Sequence, residues 1–409
     1  MGRTPWIMLG WLLLAQLTVA FVGRSIGPLA PFIRESFELS KAEIGLLPAA
    51  LFAGQALISL PAGWYADVIG TRKMLLILTS LVSIGFIVVS LVPSFAIVLV
   101  FVFIGGFGYG AMHPTSNRGI IHWFPRNQAG TAMGIKQMGV TGGSMLAAVL
   151  LIPLSVMIGW KPVVILASCV LFGVGFLSYF FYRDAPEGEG QKKPKPAFKS
   201  TVIQLLKHKP LVLVSIAAMG LTGAQLSLTT YLVLYTSDIL RYPLVLAGGF
   251  LVLSELGGTL GRVVWGTVSD RWFHGNRSFV LILISIITAL CSLAVGMLPP
   301  GFSLFLLILL IFIFGFCIAG FNGLWMNFAA ESVPREIAGV ASGFSLAIGS
   351  LGVVLGPPLF GWIIDLSGSY AWAWICLSLE MILVIGLLFW AERESRAHQD
   401  RLEYQVIKL

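Results

Sequence analysis

The chain has 409 residues, of which 57% are hydrophobic and only 11% charged, with a formal net charge of +8. A soluble domain carries about 25% charged residues, so this chain has too few polar side chains to cover itself in water, and lipid is its expected solvent. The basic excess alternates with apolar stretches instead of forming one patch, which argues against nucleic acid as a partner.

A membrane-spanning helix needs about 20 predominantly apolar residues. Twelve such segments follow one another, at about 6–32, 44–66, 74–92, 95–121, 130–152, 162–182, 210–236, 244–268, 278–298, 302–329, 338–363 and 371–391. Strands of a membrane barrel would be shorter and would alternate polar with apolar residues. The first segment follows Arg3 as a signal peptide would, but its apolar run outlasts a normal signal core and ends in no small-x-small site, so a retained helix is expected. Arg24 lies in it among Gly23, Gly27 and Pro28. The fourth segment places Tyr109, His113 and Asn117 at i, i+4 and i+8, one helical face. The fifth holds Lys136 beside Gly139, Gly142 and Gly143. Arg183 to Lys209 is the longest polar stretch, a basic, Pro-rich connector. Beyond it, the seventh segment aligns Ser227, Tyr231 and Tyr235, and the eighth aligns Glu255, Thr259 and Arg262 at i, i+4 and i+7. Asn322 and Asn327 fall in the tenth, and Gly349, Gly352 and Gly356 in the eleventh, where small residues allow close helix packing. Glu380, in the twelfth, has no evident role. The four cysteines, Cys169, Cys291, Cys317 and Cys376, sit inside apolar segments without paired spacing, so neither a disulfide nor a metal site is expected.

Two polar loops repeat. Gly63-x3-Asp67-x4-Arg72-Lys73 after the second segment is answered by Gly266-x3-Asp270-Arg271 after the eighth, with Gly and Asp offset by 203 residues. Pro125-Arg126-x2-Ala129-Gly130-x-Ala132-x-Gly134 is answered by Pro334-Arg335-x2-Ala338-Gly339-x-Ala341-x-Gly343, offset by 209. Such repetition in an apolar chain is the mark of a secondary transporter built from two membrane-embedded halves. The expected organisation is all-α: twelve transmembrane helices in two pseudo-symmetric six-helix halves, residues 1–183 and 210–391, joined by a linker at 184–209 and followed by a tail at 392–409. With the N-terminus placed in the cytoplasm, 18 of the 26 Lys and Arg residues fall on the cytoplasmic side and four outside (Arg34, Lys41, Lys161 and Arg241). The positive-inside rule therefore puts both termini in the cytoplasm.

Ionisable residues at bilayer depth are costly and face a cavity or a partner. Arg24, Lys136 and Arg262 against Glu255 leave an excess of two positive charges. An anion relieves that excess, and Arg offers a planar fork for carboxylate or phosphate. Each residue has a structural alternative. Arg262 can pair with Glu255, about 10.5 Å away along the axis. Arg24 can cap a broken helix, Lys136 can snorkel to the interface, and His113 can bond backbone freed by Pro114.

The Gly63-x3-Asp67-x4-Arg72-Lys73 loop, its weaker copy, and the Trp123-Phe124-Pro125 turn resemble the major facilitator superfamily over nearly the whole chain. The resemblance implies alternating access and a central cavity lined mainly by the first, fourth, seventh and tenth helices. Asp67, Arg72, Asp270 and Arg271 would then be gating residues. Arg262 followed by Gly266 resembles monocarboxylate and oxalate–formate porters, in which the matching arginine holds substrate carboxylate. Here Gly258 stands where the monocarboxylate pattern has an aspartate, and the eleventh segment lacks the oxalate exchangers' lysine. Arg24 resembles the first-helix arginine of organophosphate and sialin-like anion porters.

The expected function is transport of a small organic anion, a carboxylate, by proton symport in a bacterial inner membrane. Arg262, Arg24, Lys136, Asn117, Tyr109, Tyr231 and Asn322 would bind substrate, and Glu255 and His113 would carry the proton. The partners are the anion, protons and the bilayer; the protein would act as a monomer, with no cofactor or metal. Anion exchange, drug export and a non-transporting receptor or scaffold are the alternatives. No nucleophile triad or phosphate loop supports an enzyme.

Overall fold

Backbone groups surrounded by lipid must be satisfied internally, and an α-helix does so within one segment. The computed structural model describes residues 4–184, 203–333 and 338–407. Its long helices are α1 (Thr4–Gly23), α2 (Ile26–Phe37), α3 (Lys41–Ile69), α4 (Thr71–Leu91), α5 (Phe95–Trp123), α6 (Arg126–Ile158), α7 (Trp160–Phe181), α8 (Lys209–Asp238), α9 (Leu244–Arg271), α10 (Arg277–Gly296), α11 (Leu304–Ile318), α12 (Asn322–Glu331), α13 (Ala338–Ser367) and α14 (Tyr370–Ile407). Twelve spans among the described residues are long and apolar enough to cross a membrane. α1 with α2 makes the first and α11 with α12 the tenth; each remaining helix supplies one. Residues 185–202 of the expected linker lie outside the described residues, as do Pro334, Arg335 and the two residues after them in the second loop copy.

The joints are short. Gly70 alone separates α3 from α4 and Gly159 alone separates α6 from α7, with φ of +85° and +84°. Glycine takes this backbone region without a β-carbon clash. At the start of α3, the Ser40 hydroxyl accepts from the Glu43 N–H at 3.2 Å, and the Glu43 carboxylate accepts from the Ser40 N–H at 2.9 Å. This reciprocal cap satisfies two otherwise orphaned donors.

The chain forms two compact units, Met1–Gln191 with Thr229–Val252, and Lys192–Leu228 with Leu253–Leu409. Helix α8 is thus shared, its last turns belonging to the first unit. Within the first unit α5 packs on α3 and α4, α1 on α6, and α4 on α7. Within the second, α10 packs on α14 and α11, while α13 packs on α12 and α14.

Glycines set the closest crossings. A β-carbon added to Gly54 of α3 would run into the Phe103 carbonyl of α5, and one added to Gly106 of α5 would run into the Leu51 carbonyl of α3. The second unit repeats this crossing between α9 and α11: Gly257 lies against the Phe312 carbonyl, and Gly315 against the Ser254 carbonyl. The α3/α9 residues of the two crossings are offset by 203 and the α5/α11 residues by 209, the offsets of the two loops. The repeat therefore extends from the loops into the backbone contacts of each unit. Overpacking of this kind costs about 1–3 kcal/mol. Gly106→Ala and Gly315→Ala should each lower the unfolding temperature of purified protein, whereas Gly10→Ala, with no atom within 4 Å of the added carbon, should not.

Candidate functional site

The first unit gathers Arg24, Tyr109, His113, Asn117 and Lys136 around α5. Between α1 and α2 the helix breaks at Arg24–Ser25. The cause is legible, because Pro28 has no N–H to return to the Arg24 carbonyl. The Ser25 N–H bonds instead to the Val22 carbonyl at 3.2 Å, a tightened turn. At this break Arg24 Nε donates to the Tyr109 hydroxyl at 3.2 Å, and the guanidinium carbon lies 5.7 Å from the Phe52 ring centre. Phe52 and Tyr109 meet edge to face at 5.8 Å. One aromatic corner thus holds the guanidinium by a hydrogen bond and a cation–π contact.

Two further turns along α5, the same face receives a second cation. Lys136 of α6 is 2% exposed. Its Nζ donates to Asn117 Oδ1 at 3.1 Å and lies 3.4 Å from His113 Nδ1. An ammonium only donates, so this geometry makes His113 Nδ1 the acceptor and the imidazole neutral. No carboxylate pairs with Lys136 among the described residues. The stripe of Tyr109, His113 and Asn117 therefore binds two cations, Arg24 at one end and Lys136 at the other. Lys136 does not snorkel, because its head group is inside the protein.

In the second unit the tenth span breaks at Ala319, Gly320 and Phe321, between α11 and α12. The Gly320 N–H turns back to the Cys317 carbonyl at 3.1 Å. The Ala319 carbonyl accepts from Arg262 Nε at 3.1 Å and from Asn322 Nδ2 at 3.2 Å, and Asn322 also donates to Gln225 Oε1 at 3.3 Å. Arg262 and Asn322, predicted as separate ligands, thus meet on one backbone oxygen. Glu255 is buried at 6% exposure, and the Thr259 hydroxyl donates to its backbone carbonyl at 2.8 Å. Gln225 was not singled out from sequence because one amide in a long apolar segment carries no spacing signal.

Tyr231 lies apart from both of these clusters. It is fully buried and its hydroxyl donates to the Lys41 carbonyl at 2.6 Å, which makes it a tie between α8 and the start of α3. Close by in the chain, Asp238 at the end of α8 accepts from Arg34 at 3.1 Å and from Lys41. These two residues, counted above only as charges on the outer side, share one carboxylate.

The loop residues also sort by structure. Arg72 donates to the Tyr179 carbonyl and stacks over the Tyr179 ring at 4.5 Å. The side chain of Asp67 lies outside the described residues. The first N–H groups of α4, those of Thr71 and Arg72, are capped by Asp184 at 2.9 and 3.3 Å, and Arg118 lies 3.8 Å from the same carboxylate. In the second copy Asp270 pairs with Arg277, which also reaches Glu331 at 3.4 Å, and Arg271 is exposed.

The shared acceptor at the tenth-span break yields a measurable coupling. Arg262→Ala and Asn322→Ala should be non-additive in unfolding free energy, with an interaction of about 0.5–3 kcal/mol, because either donor alone still satisfies the Ala319 carbonyl. Additive effects in a double-mutant cycle would mean that the two donors act independently.

The model of the Major Facilitator Superfamily matches residues 12–349 and, in a second match, 273–405. A protein of Cupriavidus necator named "Probable sulfoacetate transporter SauU" is 25% identical over 391 residues, covering 90% of this chain and 89% of its own length. The glycerol-3-phosphate transporter of Bacillus subtilis is 26% identical over 384 residues, with 88% and 85% covered. Among solved structures, a bacterial homologue of the human lysosomal transporter Spinster aligns with a TM-score of 0.78 over 97% of this chain and 98% of that one, at 18% identity, a likeness of fold. With twelve spans, a repeated half and a family model matching most of its length, the chain belongs to the Major Facilitator Superfamily and is a multi-pass membrane transporter.

Proposed function

We propose that the protein carries a small organic anion across a bacterial inner membrane by alternating access, with proton symport as the coupling. One observation carries the reading: Lys136 is buried with only neutral partners, Asn117 and His113. A buried charge without a counter-charge is strongly unfavourable, and an anion arriving at that ammonium removes the penalty. Arg24, with Tyr109, adds a second cationic donor in the same unit. In the second unit Arg262 and Asn322 are the substrate-binding candidates of this reading. The named substrates of the two relatives, sulfoacetate and glycerol 3-phosphate, are both small organic anions, which supports the class; a carboxylate is the favoured member. Both termini lie in the cytoplasm in this reading.

His113 links anion and proton chemistry. Protonation at Nδ1 removes the acceptor that faces Lys136 and adds charge beside it, so proton uptake there requires the anion or a displaced lysine. Glu255, buried in the unit that holds Arg262, is the second proton carrier of the reading.

Three experiments decide. Lys136→Met should weaken binding of sulfoacetate or another accepted small acid by roughly 1.5–3 kcal/mol, the worth of a charge-assisted hydrogen bond, without lowering the unfolding temperature, because an isolated buried charge has been removed. Neutral amides of the same acids should bind far more weakly to wild-type protein; a cation or neutral compound that outcompetes every anion would overturn the anion reading. In proteoliposomes, Glu255→Gln should abolish accumulation driven by a pH gradient while preserving exchange between two loaded sides. Intact pH-driven accumulation would remove Glu255 from the coupling.

A further inference from the structure

None of the contacts above involves Gln16 of α1, yet it is as deeply buried as Lys136. It is 2% exposed, and its Oε1 has no hydrogen-bond partner among the described residues. A buried acceptor left unmet is costly. Neighbouring contacts give its place within the first unit. A β-carbon added to Gly23 of α1 would run into the Tyr109 ring of α5, and one added to Gly119 of α5 would lie 3.2 Å from Leu12 Cδ1 of α1. The two helices therefore run antiparallel, and Leu12, Gln16 and Gly23, at i, i+4 and i+11, form the stripe of α1 that faces α5. Gln16 is about 6 Å of helix rise beyond Leu12, which sets it level with the stretch of α5 between His113 and Asn117. On its other flank, a β-carbon added to Gly139 of α6 would lie 3.1 Å from Gln16 Cβ. Lys136 is one turn before Gly139 on the same helix. Gln16 thus enters the seam of α1, α5 and α6 at the height of the Lys136 cluster.

The hydrogen-bonding inventory of this seam is one-sided. The Lys136 ammonium has three N–H groups, and two are met, by Asn117 Oδ1 and His113 Nδ1. With Nδ1 accepting, the His113 proton is on Nε2, a donor, and the Asn117 amide nitrogen is another. Both acceptors of the cluster are turned to Lys136. Gln16 Oε1 is an acceptor that remains. A carboxylate, sulfonate or phosphate answers the donors but brings no donor for Gln16. A hydroxyl on the same molecule brings one.

We propose that Gln16 is a specificity residue of the Lys136 site: its Oε1 accepts from a hydroxyl of the bound anion, so hydroxylated acids are selected over the same acids without the hydroxyl. The proposal rests on the anion reading above and names the substrate class within it. Affinities for purified full-length protein test it with matched pairs: lactate and propionate, sulfolactate and 3-sulfopropionate, glycerol 3-phosphate and propyl phosphate. In each pair that binds, the hydroxylated member should bind about tenfold more tightly, the worth of one neutral hydrogen bond. Gln16→Met, close in size and without the acceptor, should bring that ratio near one by weakening the hydroxylated member. Its unfolding temperature should not fall, because the substitution removes no hydrogen bond of the free protein. Gln16→Asn keeps the amide but withdraws it by one methylene, and should lose the preference too; should Gln16→Met fail to fold, Gln16→Asn decides by the same ratio. If Gln16 serves packing alone, both members of a pair weaken together. That result, or wild-type protein that binds anions without regard to the hydroxyl, or a preference that survives the substitutions, overturns the proposal and leaves the anion reading standing. Wild-type protein that binds none of these anions removes both.

Discussion

No water reaches the middle of a bilayer, and every polar group placed there must find its partner inside the protein. Most of what distinguishes this chain follows from where that demand is met by backbone, where by side chains, and where it is left open. The two interrupted spans show the first two cases. At Arg24–Ser25 a proline frees a carbonyl and the arginine beside it turns to Tyr109 and Phe52. At Ala319 a freed carbonyl is met by Arg262 and Asn322 together. Lys136 is the third case, a charge given neutral company only.

The scaffold obeys the internal repeat and the chemistry breaks it. Gly54 and Gly257, or Gly106 and Gly315, hold equivalent crossings. By the same offsets, Glu255 corresponds to Phe52, Arg262 to Ser59, Lys136 to Ser345 and His113 to Asn322. Ser345 bonds Trp325 and Ser215, an ordinary core arrangement where the first unit places an ammonium. Duplication explains why the fold can be built twice. At each of these four positions one copy carries an ionisable side chain where the other carries a neutral one.

Much of this was legible in the sequence because the signals are local. Twelve apolar runs give twelve spans, and Gly23, Gly27 and Pro28 announce the first break. The face made by Tyr109, His113 and Asn117 was readable from spacing, since 3.6 residues per turn fixes which side chains align. What they hold was not, because Arg24 and Lys136 come from other helices. The Ala319 break has only Gly320 to mark it and no proline. Asp184 caps Thr71 from 113 residues away, and Asp238 joins Arg34 and Lys41 across about 200 residues, distances at which no pattern in one chain reports contact. Tyr231 is a further case: its alignment with Ser227 and Tyr235 is local, and nothing in that spacing announces that its hydroxyl donates to the Lys41 carbonyl, 190 residues away.

The Ala319 carbonyl carries a consequence for how such a site can drift over time. The atom that orients Arg262 belongs to the main chain, so the side chain at position 319 is limited by size alone, through its contact with Gly258, and not by its chemistry. Substitutions there can accumulate without altering the acceptor, and a register shift of one residue in α11 would destroy it without changing any of the residues named. Insertions and deletions near the break, rather than replacements, are therefore the changes that would separate lineages retaining this arginine from lineages retaining its orientation.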